Sequence, residues 1–114
     1  MTPRITLRFD FPNGRRLGHG KVSLLEAIGR HGSIAAAGRE FGMSYRRAWL
    51  LVDEVNHMFE APLVSARGGG AGGGGAQLTE LGAKVVALYR EAERKATASA
   101  KEEIGRIAAA LAGD

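Results

Sequence analysis

The sequence has no cysteine and only three prolines in 114 residues, and aromatic residues make up only 6% of it. The lack of cysteine excludes disulfides, thiolate metal sites and cysteine nucleophiles. No apolar run approaches the roughly 20 residues of a membrane span, and the start MTPRITLRFDF lacks the apolar core of a signal peptide. At this length we expect one domain, cytoplasmic and without a membrane partner.

Patterns typical of catalysis are also missing from the sequence. The three histidines, His19, His31 and His57, are too far apart for a helical metal-binding pair, and there is no HExxH motif. No serine can be linked from sequence to a histidine and an acid in a working arrangement. We therefore expect no enzyme, no catalytic residue and no metal site.

The charge that is present is mostly positive. The formal net charge is +4 and the isoelectric point is near 10.0. Cations are concentrated in residues 1–30, whereas acids outnumber bases in residues 91–114, so the C-terminal quarter is not a basic arm. Such a balance suits a nucleic acid partner, but it is also typical of an ordinary solvated basic face.

The first half of the chain predicts a strand and three helices. Ile5, Leu7, Phe9 and Phe11 alternate with polar residues, which indicates a half-buried strand over residues 5–11. A turn at Pro12-Asn13-Gly14 follows. Helical spacing of apolar residues, serines suited to N-caps and glycine stops then predict helices over residues 20–31, 34–41 and 45 to about 59.

The second half predicts a hairpin and a long helix. Strand-like LVSA and QLT flank the run RGGGAGGGGA, which indicates a hairpin over about 63–79. Thr79 can cap a helix whose apolar stripe continues to Leu111 and would reach on the order of 45 Å, further than so small a domain can cover. A possible capping box from Ser99 to Glu102, together with Gly105, predicts a break near residues 97–99.

This order of elements favours a mainly α fold with a small β component. Helices two and three, joined by Gly42-Met43-Ser44, match a helix-turn-helix, and a hairpin directly after them is typical of a wing. We expect a winged helix-turn-helix with an N-terminal strand and a long C-terminal dimerisation helix. The single domain would span 1–114, with the helix-turn-helix at about 33–60, the wing at about 63–79 and the dimerisation helix at about 79–112.

The third predicted helix carries the candidate DNA-reading residues. Its apolar face leaves a polar side opposite, flanked by Arg47 and Trp49, that carries Arg46, Leu50, Asp53 and His57. Arginine can donate two hydrogen bonds to guanine, and the helix amides beside Ser44 suit a phosphate. Tyr45 fits a DNA contact and a core position equally well. We expect Trp49, on this helix too, to pack against the protein.

The glycine run has three possible interpretations. It contains GxGxxG at Gly68, Gly70 and Gly73, but a run of only glycine and alanine matches almost any glycine motif, and no GK[ST] follows. A flexible linker is a stronger rival. Because the flanks are strand-like, we favour a wing in which Gly68, Gly69 and Gly70 let backbone amides approach phosphate beside Arg67. Bulky replacements over residues 68–75 should then leave the fold intact.

Two segments carry a resemblance to a known family. GSIAAAGREFGMSYRRAW, residues 32–49, and LVSARGGGAGGGGAQLTELG, residues 63–82, resemble the N-terminal DNA-binding domain of ModE-type molybdate-responsive transcriptional regulators. The resemblance runs from about residue 20 to 95. It implies a winged helix that dimerises through its N-terminal strand and last helix. It places at the DNA Ser44, Tyr45, Arg46, Arg47, Arg67 and the wing glycines.

The resemblance also bears on cofactors and function. Members of the family carry C-terminal molybdate-binding domains, and this sequence stops at Asp114, so we expect no cofactor and no tight molybdate site in it. We expect a homodimeric regulator, in the first instance a repressor, of a palindromic operator in double-stranded DNA. The alternative is a protein interaction module that docks through the amphipathic last helix, and this docking would respond little to salt.

Overall fold

The computed structural model describes residues 3–70 and 73–113. Within these ranges the chain forms two antiparallel hairpins and five helices, which confirms the predicted mainly helical content with a small β component. No helix there is both long and apolar enough to cross a membrane. The elements are β1 Arg8–Asp10, β2 Arg16–Gly18, α1 His19–His31, α2 Ile34–Glu40, α3 Tyr45–Asn56, β3 Val64–Gly70, β4 Gly73–Leu78, α4 Glu80–Ser99 and α5 Lys101–Ala109.

Three helices begin at the hydroxyl residues that the sequence indicated. Ser33 accepts a hydrogen bond from the amide three residues on at 3.0 Å, Ser44 does so at 3.2 Å and Thr79 at 3.0 Å. Each side chain thus satisfies one of the free amides of the helix's first turn. Gly32 ends α1 in the left-handed conformation, with φ of 74°, as expected for a C-terminal glycine.

The N-terminal strand is shorter than predicted and has an unexpected partner. Residues 8–10 form β1, not residues 5–11, and they pair with β2. Leu17, the central residue of β2, is buried opposite Phe9. A strand of three residues with one apolar side chain has no visible alternation, which is why the sequence did not reveal β2.

The prediction that α3 extends to about Phe59 was wrong. The helix ends at Asn56, whose side-chain oxygen accepts the amides of Leu63 and Val64 at 2.9 and 3.0 Å. Its amide nitrogen donates to the carbonyl of Val64 at 3.1 Å. The side chain of Asn56 therefore binds the returning chain immediately after the helix ends.

The last helix is interrupted, as the sequence suggested, but one residue later and by another cause. The break is at Ala100, with φ of −100° and ψ of 12°, between α4 and α5. The expected capping box does not form, because α5 begins without any side-chain cap.

The strands β3 and β4 extend further into the glycine run than expected. Their pairing runs from Val64 opposite Leu78 to Arg67 opposite Gly75, and after an irregularity Gly70 faces Gly73. Gly68, Gly69 and Gly70 therefore belong to β3 and not to an open loop. Residues 71 and 72, at the tip of the predicted wing, lie outside the described residues.

The main core lies between α1, α3 and the second hairpin. A second cluster joins the first hairpin to α4, where the Tyr89 hydroxyl donates to the Leu7 carbonyl at 2.6 Å and its ring lies 5.4 Å from that of Phe9. α5 buries none of its residues. The main cluster includes Leu24, Leu25, Ile28, Ala48, Val52, Val55, Leu63, Val64 and Ala76.

The molecule is elongated, with extents of 57 × 34 × 21 Å and a radius of gyration of 16.9 Å. A compact domain of this length would have a radius near 13 Å. The difference, together with the lack of buried residues in α5, is typical of a helical arm that extends away from the core.

Candidate nucleic-acid interface

α2 and α3 are joined by a tight turn and pack closely against each other. Gly42 adopts a φ of 68°, and the Met43 amide donates to the carbonyl of Gly38 at 2.9 Å. A Cβ atom added at Gly38 would lie only 2.9 Å from the Cβ of Ala48, so the two helices touch through these small residues. This contact leaves the opposite face of α3 open to solvent.

The open face of α3 carries two arginines in its first turn. Ala48, Val52 and Val55 are buried, whereas Arg46 and Arg47 are exposed. Within the described ranges neither arginine forms an ion pair. Both guanidinium groups are therefore available to an anionic partner.

Most cations on α1 and α4 are already neutralised, unlike those of α3. Lys21 pairs with Glu54, and Arg30 lies 2.8 Å from a carboxylate oxygen of Glu40. Hydrogen bonds from His31 and Arg30 hold the pKa of Glu40 below its usual value, against a smaller effect of desolvation. Among the described residues from α2 to β3, the exposed arginines without a carboxylate partner are Arg39, Arg46, Arg47 and Arg67.

The amino end of α3 offers further hydrogen-bond donors. Ser44 occupies the N-cap and uses its hydroxyl to accept the amide of Arg47. The other amides of a first helical turn have no partner inside the helix, and the helix dipole favours an anion there. The beginning of α3 thus combines amide donors with the Arg46 and Arg47 side chains.

Tyr45 and Trp49 line a cleft of about 320 Å³ between α3 and the second hairpin, opposite Ser65 and Ala66. Trp49 was expected to pack against the protein, but 46% of it is exposed. Tyr45 is also largely exposed, so it does not belong to the core. One side of the cleft is therefore formed by aromatic side chains of α3.

The base of the second hairpin is attached to α1 as well as to α3. The Ala76 amide donates to the carbonyl of Gly32 at 2.9 Å. A Cβ atom added at Gly75 would collide with that same carbonyl oxygen. The expectation that several glycines of residues 68–75 can take bulky side chains without unfolding the protein was therefore wrong for Gly75, because this residue packs against the end of α1.

This attachment also places Arg67. Arg67 pairs with Gly75 across the hairpin, and its guanidinium group lies where a side chain at Gly32 would be. The carbonyl end of α1 is partly negative, which favours a cation at this position. Arg67 remains exposed at the edge of the hairpin.

Sequence reasoning missed Asn56, which holds the hairpin to α3. The three hydrogen bonds of its side chain reach residues seven and eight positions further along the chain. The one sequence signal was an asparagine, a poor helix former, inside the predicted helix.

Arg90, on α4, was also missed as the centre of a polar cluster. It donates to Glu26 at 2.7 and 3.0 Å, to Glu93 at 2.8 Å and to the Ser23 hydroxyl at 3.2 Å. The hydrogen bond from Arg90 holds the pKa of Glu26 below its usual value, and Glu26 in turn raises the pKa of Arg90. This cluster joins α4 to α1. The described ranges contain no group of three or more His, Asp or Glu side chains arranged to hold a metal.

Several proteins share this sequence pattern. The chain is 53% identical over 76 residues to the molybdenum-pterin-binding protein MopB of Rhodobacter capsulatus, which is 67% of this chain and 28% of that protein. It is 41% identical over 87 residues to the molybdenum transport protein ModE of Azotobacter vinelandii, 76% of this chain and 32% of that one. It is 42% identical over 69 residues to the DNA-binding transcriptional dual regulator ModE of Escherichia coli, 60% and 26% respectively. No protein-family profile matches the chain. The matched part therefore spans about three tenths of these relatives.

Proposed function

The chain is a ModE-like sequence over about two thirds of its length, and from this premise we propose that it binds double-stranded DNA sequence-specifically and regulates transcription. The observation that carries the proposal is the position of Arg46 and Arg47. Both are exposed and have no ion pair among the described residues, in the first turn of the helix that follows a tight turn. First-turn cations on such a helix are well placed to contact base edges.

The proposed architecture is a winged helix-turn-helix. α2, the turn at Gly42 and α3 would form the helix-turn-helix, and the hairpin of β3 and β4 would be the wing. α3 would enter the major groove, and the hairpin would follow the phosphate backbone. The contacts at Gly32 and Asn56 support this arrangement, since they attach the hairpin to the C-terminal ends of α1 and α3.

Different residues would have different tasks at the DNA. Arg46 and Arg47 would bind guanine O6 and N7, which requires exposed guanidinium groups. Ser44 and Tyr45, at the amino end of α3, would contact phosphate. Arg67 would contact the backbone further along, together with the amides of Gly68, Gly69 and Gly70.

We further propose a homodimer on a palindromic operator, with repression as the result of binding. The support is an apolar stripe along α4, α5 and the residues just after α5, where Leu88, Ile107 and Leu111 are all exposed. A second copy would bury this stripe and set two α3 helices at a fixed spacing. A reporter gene placed behind a selected operator measures the direction of regulation.

Selection from random duplex DNA tests the proposal. The full chain should enrich a defined sequence and prefer it to random duplex by a factor of at least about 10³. Affinity for both duplexes should fall steeply as salt rises, because phosphate contacts release counterions. Failure to enrich any sequence, with affinity indifferent to salt, would refute DNA binding.

The exposed stripe also supports a second candidate, a protein interaction module. Its apolar residues lie on α4 and α5, away from the arginines of α3. Docking through such a stripe depends on apolar area and would change little with salt. The salt series on DNA and on any captured protein therefore separates the two candidates.

We propose that these residues take no cofactor of their own. The molybdenum-pterin binding in the names of MopB and of MopA from the same organism belongs to proteins of which the matched part is about three tenths. Calorimetric titration of the chain with sodium molybdate should give no saturable binding below micromolar concentration. A stoichiometric submicromolar site would contradict this proposal.

A further inference from the structure

We infer that Leu50 is a specificity residue that contacts the methyl group of a thymine, next to the base pair bound by Arg46. This inference rests on the proposed binding of α3 in the major groove. The proposed arginine contacts give no role to this apolar side chain, which is exposed on the same face of α3.

The position of Leu50 on α3 is the first observation. Leu50 and Arg46 are four residues apart, so they lie about 40° from one another around the helix axis and about 6 Å apart along it. They lie on either side of the direction opposite to the buried Ala48, Val52 and Val55. Leu50 thus occupies the most outward position of the second turn, and 48% of it is exposed.

The charges around Leu50 indicate the kind of partner. Leu50 shares an open cleft with Ser44, Arg46 and Arg47, at the cationic end of the helix. Leu51 and Glu54 also line this cleft, and the carboxylate of Glu54 is paired with Lys21 and not with either arginine. An apolar protein partner would have to desolvate these two arginines without offering them an acid. DNA satisfies both kinds of group, since it presents phosphates and guanine acceptors to the arginines and an apolar methyl group to the leucine.

The last turn of α3 limits how far this contact extends. Asp53 and His57 follow Leu50 on the same side of the helix, with the His57 Nδ1 atom 3.5 Å from an Asp53 carboxylate oxygen. An exposed carboxylate is unfavourable beside phosphate, so the DNA contact should be concentrated on the first two turns. Thymine is the base whose major-groove edge carries a methyl group, and one helical turn spans roughly two base pairs at 3.4 Å each.

Replacement of thymine by deoxyuridine tests the inference, because it removes this methyl group and leaves the hydrogen-bonding edge intact. Each thymine of the selected duplex is replaced in turn, and dissociation constants are measured at one salt concentration. One thymine per half-site, within about two base pairs of the guanine bound by Arg46, should show a loss of about fourfold. That factor corresponds to the roughly 0.8 kcal/mol of burying one such group.

Leu50→Ala and a matched control locate the effect. L50A should bind the thymine and deoxyuridine duplexes equally, so the fourfold ratio disappears and the two changes are not additive. Phe11→Ala removes another partly exposed apolar side chain, in the loop of the first hairpin, and should keep the ratio. Circular dichroism should show that L50A stays folded, since half of the side chain is already in solvent.

The possible failures are distinguishable. If the chain prefers no selected duplex over random DNA, the proposed function itself fails. If the preference exists and Arg46→Ala abolishes it, but no deoxyuridine position loses its effect in L50A, only the inference about Leu50 is wrong. A selected operator without thymine near that guanine would overturn the inference too. The inference would also be overturned if L50A changed the sedimenting mass but left the ratio of affinities for the thymine and deoxyuridine duplexes unchanged.

Discussion

Exposed arginines can contact different parts of a DNA duplex. In this protein Arg67 lies on β3, whereas Arg46 and Arg47 lie on α3. Arg67 lies at the edge of a hairpin beside the end of α1, and in the proposed orientation on DNA it would contact phosphate and not a base edge. Arg46 and Arg47 lie in the first turn of α3. A phosphate contact contributes to affinity on any sequence, whereas a base contact contributes to preference.

Arg67→Ala should therefore weaken binding to selected and random duplex alike, and it should reduce the slope of log affinity against log salt by about one unit. Fluorescence anisotropy across a salt series measures both values. Arg106→Ala, at a surface ion pair on α5, is the matched control and should leave the slope unchanged. A loss confined to the selected duplex would mean that Arg67 contacts a base.

At the scale of elements, the hairpin of β3 and β4 contains glycines in two different environments. Nothing lies within 4 Å of a Cβ added at Gly68, whereas one added at Gly75 collides with the Gly32 carbonyl. The same carbonyl accepts the hydrogen bond from Ala76 that attaches β4 to α1. The sequence of the run does not show which of its glycines packs against α1, because the letter G is the same for a packed and for an open position.

Gly75→Ala should lower the free energy of unfolding by about 1 to 3 kcal/mol, as for other overpacked positions. Gly68→Ala, the control in the same run, should change it by less than about 0.5 kcal/mol. Urea denaturation of both variants, followed by circular dichroism, makes the comparison. Equal stabilities would contradict the described attachment of the hairpin to α1.

The contact between α1 and α4 depends on an ion pair that acid should weaken. Hydrogen bonding to Arg90 lowers the pKa of Glu26 from its ordinary value of 4.5. A carboxylate with a lowered folded pKa stabilises the protein above its unfolded pKa, and this contribution is lost as pH falls through the folded pKa. We therefore expect the wild type to lose more stability than Glu26→Gln below about pH 4.5.

At neutral pH, E26Q should be less stable than the wild type by about 1 kcal/mol, since Glu26 is partly exposed and its charge is screened. Thermal unfolding between pH 3 and 7 measures the difference. Glu91→Gln, which removes an exposed ion pair within α4, should have a smaller effect. Parallel pH profiles for E26Q and the wild type would show that Glu26 does not stabilise the contact.

At the scale of the whole molecule, the uncovered stripe on α4 and α5 predicts association. Sedimentation at micromolar concentration should give about twice the chain mass of 12.0 kDa. Ile107→Asp should shift the mass towards the monomer, because Ile107 is 69% exposed in the single chain and its replacement spares the core. Lys101→Asp changes charge on the same helix and serves as control. A wild-type monomer would contradict the paired-operator geometry.

Local chemistry explains which parts of this molecule could be predicted from sequence. Ser33, Ser44 and Thr79 were recognisable as caps because each binds an amide only three residues away. The contact between α1 and α4 was not predictable, since Arg90 and Glu26 are 64 residues apart. Sequence periodicity carries no information about which distant side chains meet. The three-residue β2 was likewise too short to show a period.

The central claim is that α3 reads the DNA sequence, and the ratio of affinities for selected and random duplex tests it most directly. Each of Arg46→Ala and Arg47→Ala is measured against the wild type at one salt concentration. Replacing an arginine that binds a guanine should cost about 1 to 3 kcal/mol on the selected duplex and much less on random DNA, so the ratio falls by about 5- to 150-fold. If both variants keep the wild-type ratio, α3 is not the reading helix and the proposed orientation on DNA is wrong.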